Sequence, residues 1–271
     1  MKSKYKIIGI ILIFILGSLH YPDKPNNWSW KALNIKSAKP VNSNVKIAIL
    51  DSGIRNKHIN DKYIIRKYDA IKNKNSITTN SHHGSQVASI IGYIKFNTTL
   101  IGLNSNISIY DCKVLNDDLG ANIDDVIKGL EWSIQNNVDI INMSFGFSQY
   151  NKKLHNSIIK AHKKGIVLVA SAGNNLAIYS DYPARFPEVI SVSAIDKHFK
   201  PFKYSPVKKI NYYAPGVNVY ALDGNNNLTK VNGTSFASAY FSSYLISKNF
   251  SNKNILDILY DYPIKTEGEN K

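Results

Sequence analysis

The chain has a single cysteine, Cys112, among its 271 residues, so no disulfide can form within it. Cys112 sits in the apolar run ISIYDCKVL (107–115) with no histidine in a recognisable pattern beside it. It is expected to be a small buried side chain, not a nucleophile. Acidic residues are scarce as well: 19 Asp and Glu against 34 Lys and Arg give a formal net charge of +15. That balance suits anionic surroundings. The cations form no dense block and no nucleic-acid motif is present, so nucleic acid is not expected as a partner and the charge reads as a solvated surface. Internal repeats and low-complexity tracts are missing, which argues against solenoids and disordered arrays. With 44% hydrophobic residues, the length suits one domain with a full-sized core.

Long apolar runs are also few, and the most continuous one is at the N-terminus. Lys2, Lys4 and Lys6 precede IIGIILIFILGSL (7–19), the layout of a secretory signal. The run is short for a spanning helix, which needs ~20 residues. It lacks an A-x-A cleavage pattern; Gly17 and Ser18 are the small residues near its end. Residues 1–20 are therefore expected to be a signal peptide or a retained anchor, with membrane association through residues 7–19. The lysines favour the inner side, which places the remaining chain outside the cytoplasmic membrane. Residues 21–44 carry Pro22, Pro25, Pro40, several Asn, Trp28 and Trp30, and read as a linker or N-terminal extension that packs loosely on the domain.

From 45 to 262, apolar strands alternate with helical patterns. VKIAIL (45–50), ISIYDCKVL, DIINMS (139–144), IVLVAS (166–171) and VISVSA (189–194) read as strands. Ile123, Ile127, Leu130 and Ile134 recur at helical spacing, and helices are also predicted over 152–164 and from about Ser235 to Ser247. The alternation predicts an α/β fold with a mainly parallel central sheet covered by helices on both faces, followed by a tail at 263–271. In such sheets functional residues gather at the carboxyl ends of strands. Asp51, Ser144 and Asn174 fall there.

A serine hydroxyl needs a base to take its proton, a carboxylate to orient that base, and donors for the developing oxyanion. AILDSGI (48–54), HHGSQVAS (82–89) and NGTSFASA (232–239) supply an Asp, a His and a Ser, and ASAGNN (170–175) supplies an amide. In this order, with strands and helices between them, the motifs resemble the subtilisin family of serine endopeptidases. The resemblance covers roughly Val45 to the C-terminal helix and implies the family's three-layer fold. It implies Ser235 as nucleophile, His83 as general base and acid, Asp51 as its orienting carboxylate, and Asn174 with the Ser235 N–H as oxyanion donors. His82 neighbours His83, but the glycine after His83 assigns the role. Ser144, Phe145 and Gly146 would form the edge that pairs with substrate, and Gly173 with Asp181 would line the pocket for the residue before the cut, P1.

The chain departs from the family at several positions. Ala239 and Tyr240 replace Pro-His, and Gln86 replaces the second His of its motif. If the loop at 94–102 keeps the family's length, Phe96 falls where an Asn ligand to calcium is expected, and Asn60 or Asp61 where an Asp ligand is expected. The tight calcium site is thus expected to be absent or degraded, with no metal and no cofactor required. Asp181 stands at the floor of the implied P1 pocket, where a carboxylate would attract Arg or Lys. Asp117, Asp118, Asp124 and Asp125 fall in segments resembling the non-primed side of the cleft; capping by Asn122 and substrate attraction weigh equally for the last two. The 20–44 segment is too short for a folding pro-domain. A monomeric, extracellular processing enzyme is expected, of the kind that removes leader peptides from lanthipeptide precursors. The alternatives are a broad degradative protease and a non-catalytic peptide-binding protein of the same fold.

Overall fold

The structure is a computed structural model and describes residues 27–37, 39–251 and 254–264. The apolar run at 7–19 and the tail from 265 lie outside the described residues. In chain order the first elements are α1 (Trp28–Ala32), β1 (Val41–Asn42), β2 (Lys46–Asp51), α2 (Lys57–Tyr63), β3 (Ile64–Asp69) and α3 (His83–Ile91). Then come β4 (Ile94–Phe96), β5 (Thr99–Gly102), β6 (Asn104–Ser105), β7 (Ser108–Lys113), α4 (Ile123–Gln135), β8 (Ile140–Met143) and α5 (Lys152–Lys163). The described residues finish with β9 (Val167–Ser171), β10 (Ile190–Ile195), β11 (Tyr212–Pro215), β12 (Val217–Leu222), β13 (Leu228–Asn232), α6 (Thr234–Ser247) and α7 (Ile255–Tyr260).

Seven strands make one parallel sheet in the order β11-β10-β9-β8-β2-β7-β3. Strand β2 shows why it must be covered on both faces. Its residues alternate between two cores: Ile47 and Ile49 join the one containing α3 and α6, while Ala48 and Leu50 join the one containing α4 and α5. Side chains of a strand alternate between faces, so a fully apolar strand needs a layer on each. The expected three-layer architecture is what the chain adopts. Helix α6 is buried from Thr234 to Ile246, and its small residues let it lie close against the sheet.

The segment read as a linker is part of the packed domain from Asn27 onward. Asn27 caps α1 by accepting from the Ser29 N–H, and it donates to the Leu100 carbonyl and the Tyr240 hydroxyl. Trp30 is fully buried, lies 4.7 Å from the Tyr240 ring and donates to the Ile101 carbonyl. Tyr240 thus fills the space under α1, which accounts for a large aromatic there. At the other end, Tyr262 is buried against Phe241 and Tyr244, and Ile264 joins the same core, so the packing runs past residue 262. Trp30→Ala is expected to lower stability by about 3–5 kcal/mol, read by urea denaturation, because a full aromatic volume and a satisfied N–H are both lost. A loose linker would give a loss near zero.

Candidate active site

Asp51 ends β2, near the middle of the sheet, and is completely buried. Its Oδ1 accepts from the Ser52 N–H at 2.7 Å and from His83 Nδ1 at 2.8 Å. His83 opens α3. Two glycines let these segments meet. Gly53 takes a φ of 90°, and a Cβ on Gly84 would stand 2.5 Å from the Gly53 carbonyl oxygen. Only a glycine helix start can rest on that turn, and the Ser52 hydroxyl accepts from the Gly84 N–H to hold it there. The carboxylate fixes the proton of His83 on Nδ1 and leaves Nε2 as the acceptor. Burial alone would lower the His83 pKa; the charge and hydrogen bond of Asp51 outweigh it and raise the pKa above the ordinary histidine value.

Ser235 is the second residue of α6, so its N–H has no acceptor within the helix. Its hydroxyl donates to the Ser144 carbonyl at 3.0 Å. In return the Ser144 hydroxyl donates to the Ser235 carbonyl and accepts from Asn142 Nδ2, which ties the end of β8 to the helix start. Asn174 follows β9. Its Oδ1 accepts from both the N–H and the hydroxyl of Thr234, at 3.0 and 3.2 Å. A backbone N–H can only donate, so the amide oxygen must face it and the NH2 is the half left for a ligand.

These residues share a cavity of about 440 Å³ lined by His83, Ser235, Asn174, Ser144, Gly146 and Asp181. Phe145 and Gly173 line it too. Asp181 lies between its walls: a Cβ on Gly146 would stand 2.5 Å from Asp181 Cβ, and one on Gly173 would stand 2.6 Å from Asp181 Oδ2. The two glycines therefore leave the room that the carboxylate occupies. Both its oxygens accept from Asn175 Nδ2, at 3.0 and 3.1 Å. Burial raises its pKa, and the Asn175 bond partly offsets this. The nearby Arg185 guanidinium lies instead over the Tyr179 ring, at 4.4 Å from its centroid.

The sequence reading missed the far wall, where Leu115, Leu119 and Ala121 line the cavity. Asp117, in the same loop, binds Lys113 at 2.7 Å and accepts from Thr79 and the Asn80 N–H, and these contacts hold its carboxyl down at about 2. Asp125 binds Lys128, and Asn122 caps α4 through the Asp124 N–H, so for the latter pair helix capping accounts for the positions. None of the four acids lines the cavity. His82 faces Arg55 and the Gly224 N–H, away from Asp51. Cys112 is buried, which pushes its thiol well up. Residues 94–102 form an antiparallel hairpin with Phe96 on β4, and Asn60 turns its NH2 to the Ile54 and Asn56 carbonyls.

A buried carboxylate on a histidine, a serine at a helix start and an outward amide, all at the carboxyl edge of a parallel sheet, define a serine hydrolase of the three-layer α/β kind. The subtilase family model matches residues 42–246, and the chain belongs to that family. It is 34% identical over 215 residues to subtilisin DY of Bacillus licheniformis, covering 78% of each chain. It is 31% identical to the minor extracellular protease Epr of Bacillus subtilis (strain 168), over 80% of this chain and 34% of Epr. Sphericase shares the fold, with a TM-score of 0.74 at 22% identity, over 89% of this chain and 90% of that one. The chain is a serine-type endopeptidase.

Proposed function

We propose that this endopeptidase works through Asp51, His83, Ser235 and Asn174 and cuts after Arg or Lys. In the reaction, the Ser235 hydroxyl turns from the Ser144 carbonyl toward His83 Nε2, which takes its proton as Oγ attacks the scissile carbonyl. Asp51 holds the imidazolium that forms. The oxyanion is received by the Asn174 NH2 and the Ser235 N–H, and His83 then returns the proton to the leaving amine. The substrate backbone would lie along Ser144 to Gly146, with its P1 side chain entering beside Gly173.

Asp181 carries the specificity reading. A half-buried carboxylate at the end of the cavity, with Asn175 as its side-chain partner, is poised for a charge-assisted bond to a guanidinium or ammonium. Such a pocket suits a processing enzyme such as a leader peptidase more than a broad degradative one. The basic, apolar N-terminal layout and the family support an extracellular site of action.

Short peptides that differ only at P1 test this. Arg is expected to exceed Phe by roughly 10²-fold in kcat/KM, the scale of losing one partner of a desolvated charge pair. Asp181→Asn is expected to remove most of that preference while leaving cleavage after Phe intact. Acidification that protonates Asp181 should erode it too, beginning above the ordinary carboxylate range because burial raises its pKa. Equal cleavage after Phe and Arg by the unaltered enzyme would sink the proposal.

A further inference from the structure

Beside the cavity, two loops form one surface that the catalytic chemistry leaves unused. The chain that leaves Asn174 runs back to Asp181, and the β10–β11 connection lies against it. The Leu176 N–H donates to the Tyr204 carbonyl, and the N–H groups of Val207 and Lys208 donate to the Ile178 carbonyl. The Ser180 N–H donates to the Lys208 carbonyl. The zipped loops present five large apolar side chains to solvent: Leu176 66% exposed, Ile178 61%, Tyr179 43%, Tyr204 42% and Val207 73%. Leu176 stands at the tip with a φ of 58°, and Phe199, in the same connection, is 56% exposed at 61°. Bulky residues rarely take that conformation, and it becomes intelligible when a function uses the side chain it displays.

Cations accompany this surface. Lys203 stacks over Tyr204, Lys208 over Tyr179, and Lys209 and Lys200 are exposed in the same connection. Residues 172–180 and 197–222 contain no Asp or Glu. Asp196, at the edge, is occupied by the N–H groups of His198 and Lys200. Exposed aliphatic and aromatic side chains with lysine around them and no carboxylate among them are the chemistry of the interface of an anionic bilayer, where the rings sit at headgroup level and the cations meet lipid phosphate.

We propose that residues 176–179 and 199–209 form a membrane-docking surface for anionic lipid, separate from the apolar run at 7–19. The first of these loops joins Asn174 to Asp181. Docking would therefore hold the rim of the catalytic cavity at the lipid surface, so that substrates are cut there. The inference does not rest on the preference at P1.

The test uses the full chain, so that any binding by residues 7–19 is present throughout. Val207→Cys is labelled with an environment-sensitive fluorophore; Cys112 is buried and stays unlabelled. A control label replaces Leu256 on α7, which is 77% exposed beside the amino ends of β9 and β10, whereas residues 176–179 follow the carboxyl end of β9. With vesicles of phosphatidylcholine and phosphatidylglycerol, the label at 207 is expected to shift to the blue, brighten several-fold and be quenched by spin-labelled acyl chains. The label at 256 should remain in water. The triple variant Lys203→Glu, Lys208→Glu, Lys209→Glu should lose the shift at 207 and keep wild-type turnover of a short soluble peptide. A label at 207 that stays in water, an equal response at 256, a response with phosphatidylcholine alone that survives the triple variant, or a response to substrate peptide in place of vesicles would each overturn the proposal.

Discussion

Ser235→Ala is expected to lower kcat about 10⁶-fold, the scale known from subtilisin itself, and to abolish labelling by a fluorophosphonate. The size of the loss follows from the way the site acts as a unit. In the proposed mechanism, without Oγ there is nothing for His83 to deprotonate, and water would have to attack a carbonyl that only the oxyanion donors still polarise. The fold should hardly notice. The lost bond to the Ser144 carbonyl is one of several between β8 and the start of α6, because Ser144 also donates to the Ser235 carbonyl and Ser238 donates to that same oxygen. Loss of one such bond costs about 1 kcal/mol. Turnover in the alanine variant near the wild-type rate, with the same cut sites, would show that the nucleophile lies elsewhere. An unaltered protein that fails to react with the fluorophosphonate would favour the non-catalytic peptide binder.

Asp51→Asn is expected to cost about 10⁴-fold in kcat and to move the acid limb of kcat/KM. The amide oxygen can still accept from Ser52 and His83, so the variant removes charge with little change of shape. As the proposed base, His83 would work only when neutral. In the unaltered enzyme its pKa is raised, so activity should climb with pH through a midpoint above the ordinary histidine value of 6.5. Burial pushes the other way, and in the variant it acts without the opposing charge, so the midpoint should fall to lower pH. The same linkage acts on stability. The Asp51–His83 pair contributes fully below the unfolded-state value of 6.5 and its contribution is lost as pH rises through the raised folded value. A pH–rate profile of the two enzymes, measured with one peptide, checks the direction. An unchanged acid limb would mean that a group other than His83 governs it.

Much of the site could be read from short stretches of chain. Asp51 ends an apolar run, His83 is followed by Gly84, and Ser235 opens a helix of small and apolar residues, each within a few positions of its motif. Asp181 could be found in the same way, since its Tyr-Pro neighbours mark the segment. The acids at 117, 124 and 125 could not be judged so, because their meaning depends on partners. Lys113 and Lys128 are close in sequence but equally compatible with solvent, and Thr79 and Asn80 come from another loop. The tight packing of the stretch around Trp30 was not legible locally for a stronger reason. Its prolines and asparagines give a linker's composition, while its partners, Tyr240 and Ile101, lie 213 residues from Asn27 and 71 from Trp30.

The sequence by itself determined the alternation of strands and helices, the order Asp51, His83, Ser235, and the family, because these rest on local periodicity and on motifs whose residues are neighbours. The tertiary structure decided what depends on contacts between distant segments. It packs Gly84 onto Gly53, turns the amide oxygen of Asn174 toward Thr234, and seats Asp181 between Gly146 and Gly173. It also joins two unremarkable loops into one apolar and basic surface, since backbone hydrogen bonds between residues 176–180 and 204–208 are not written in either loop alone.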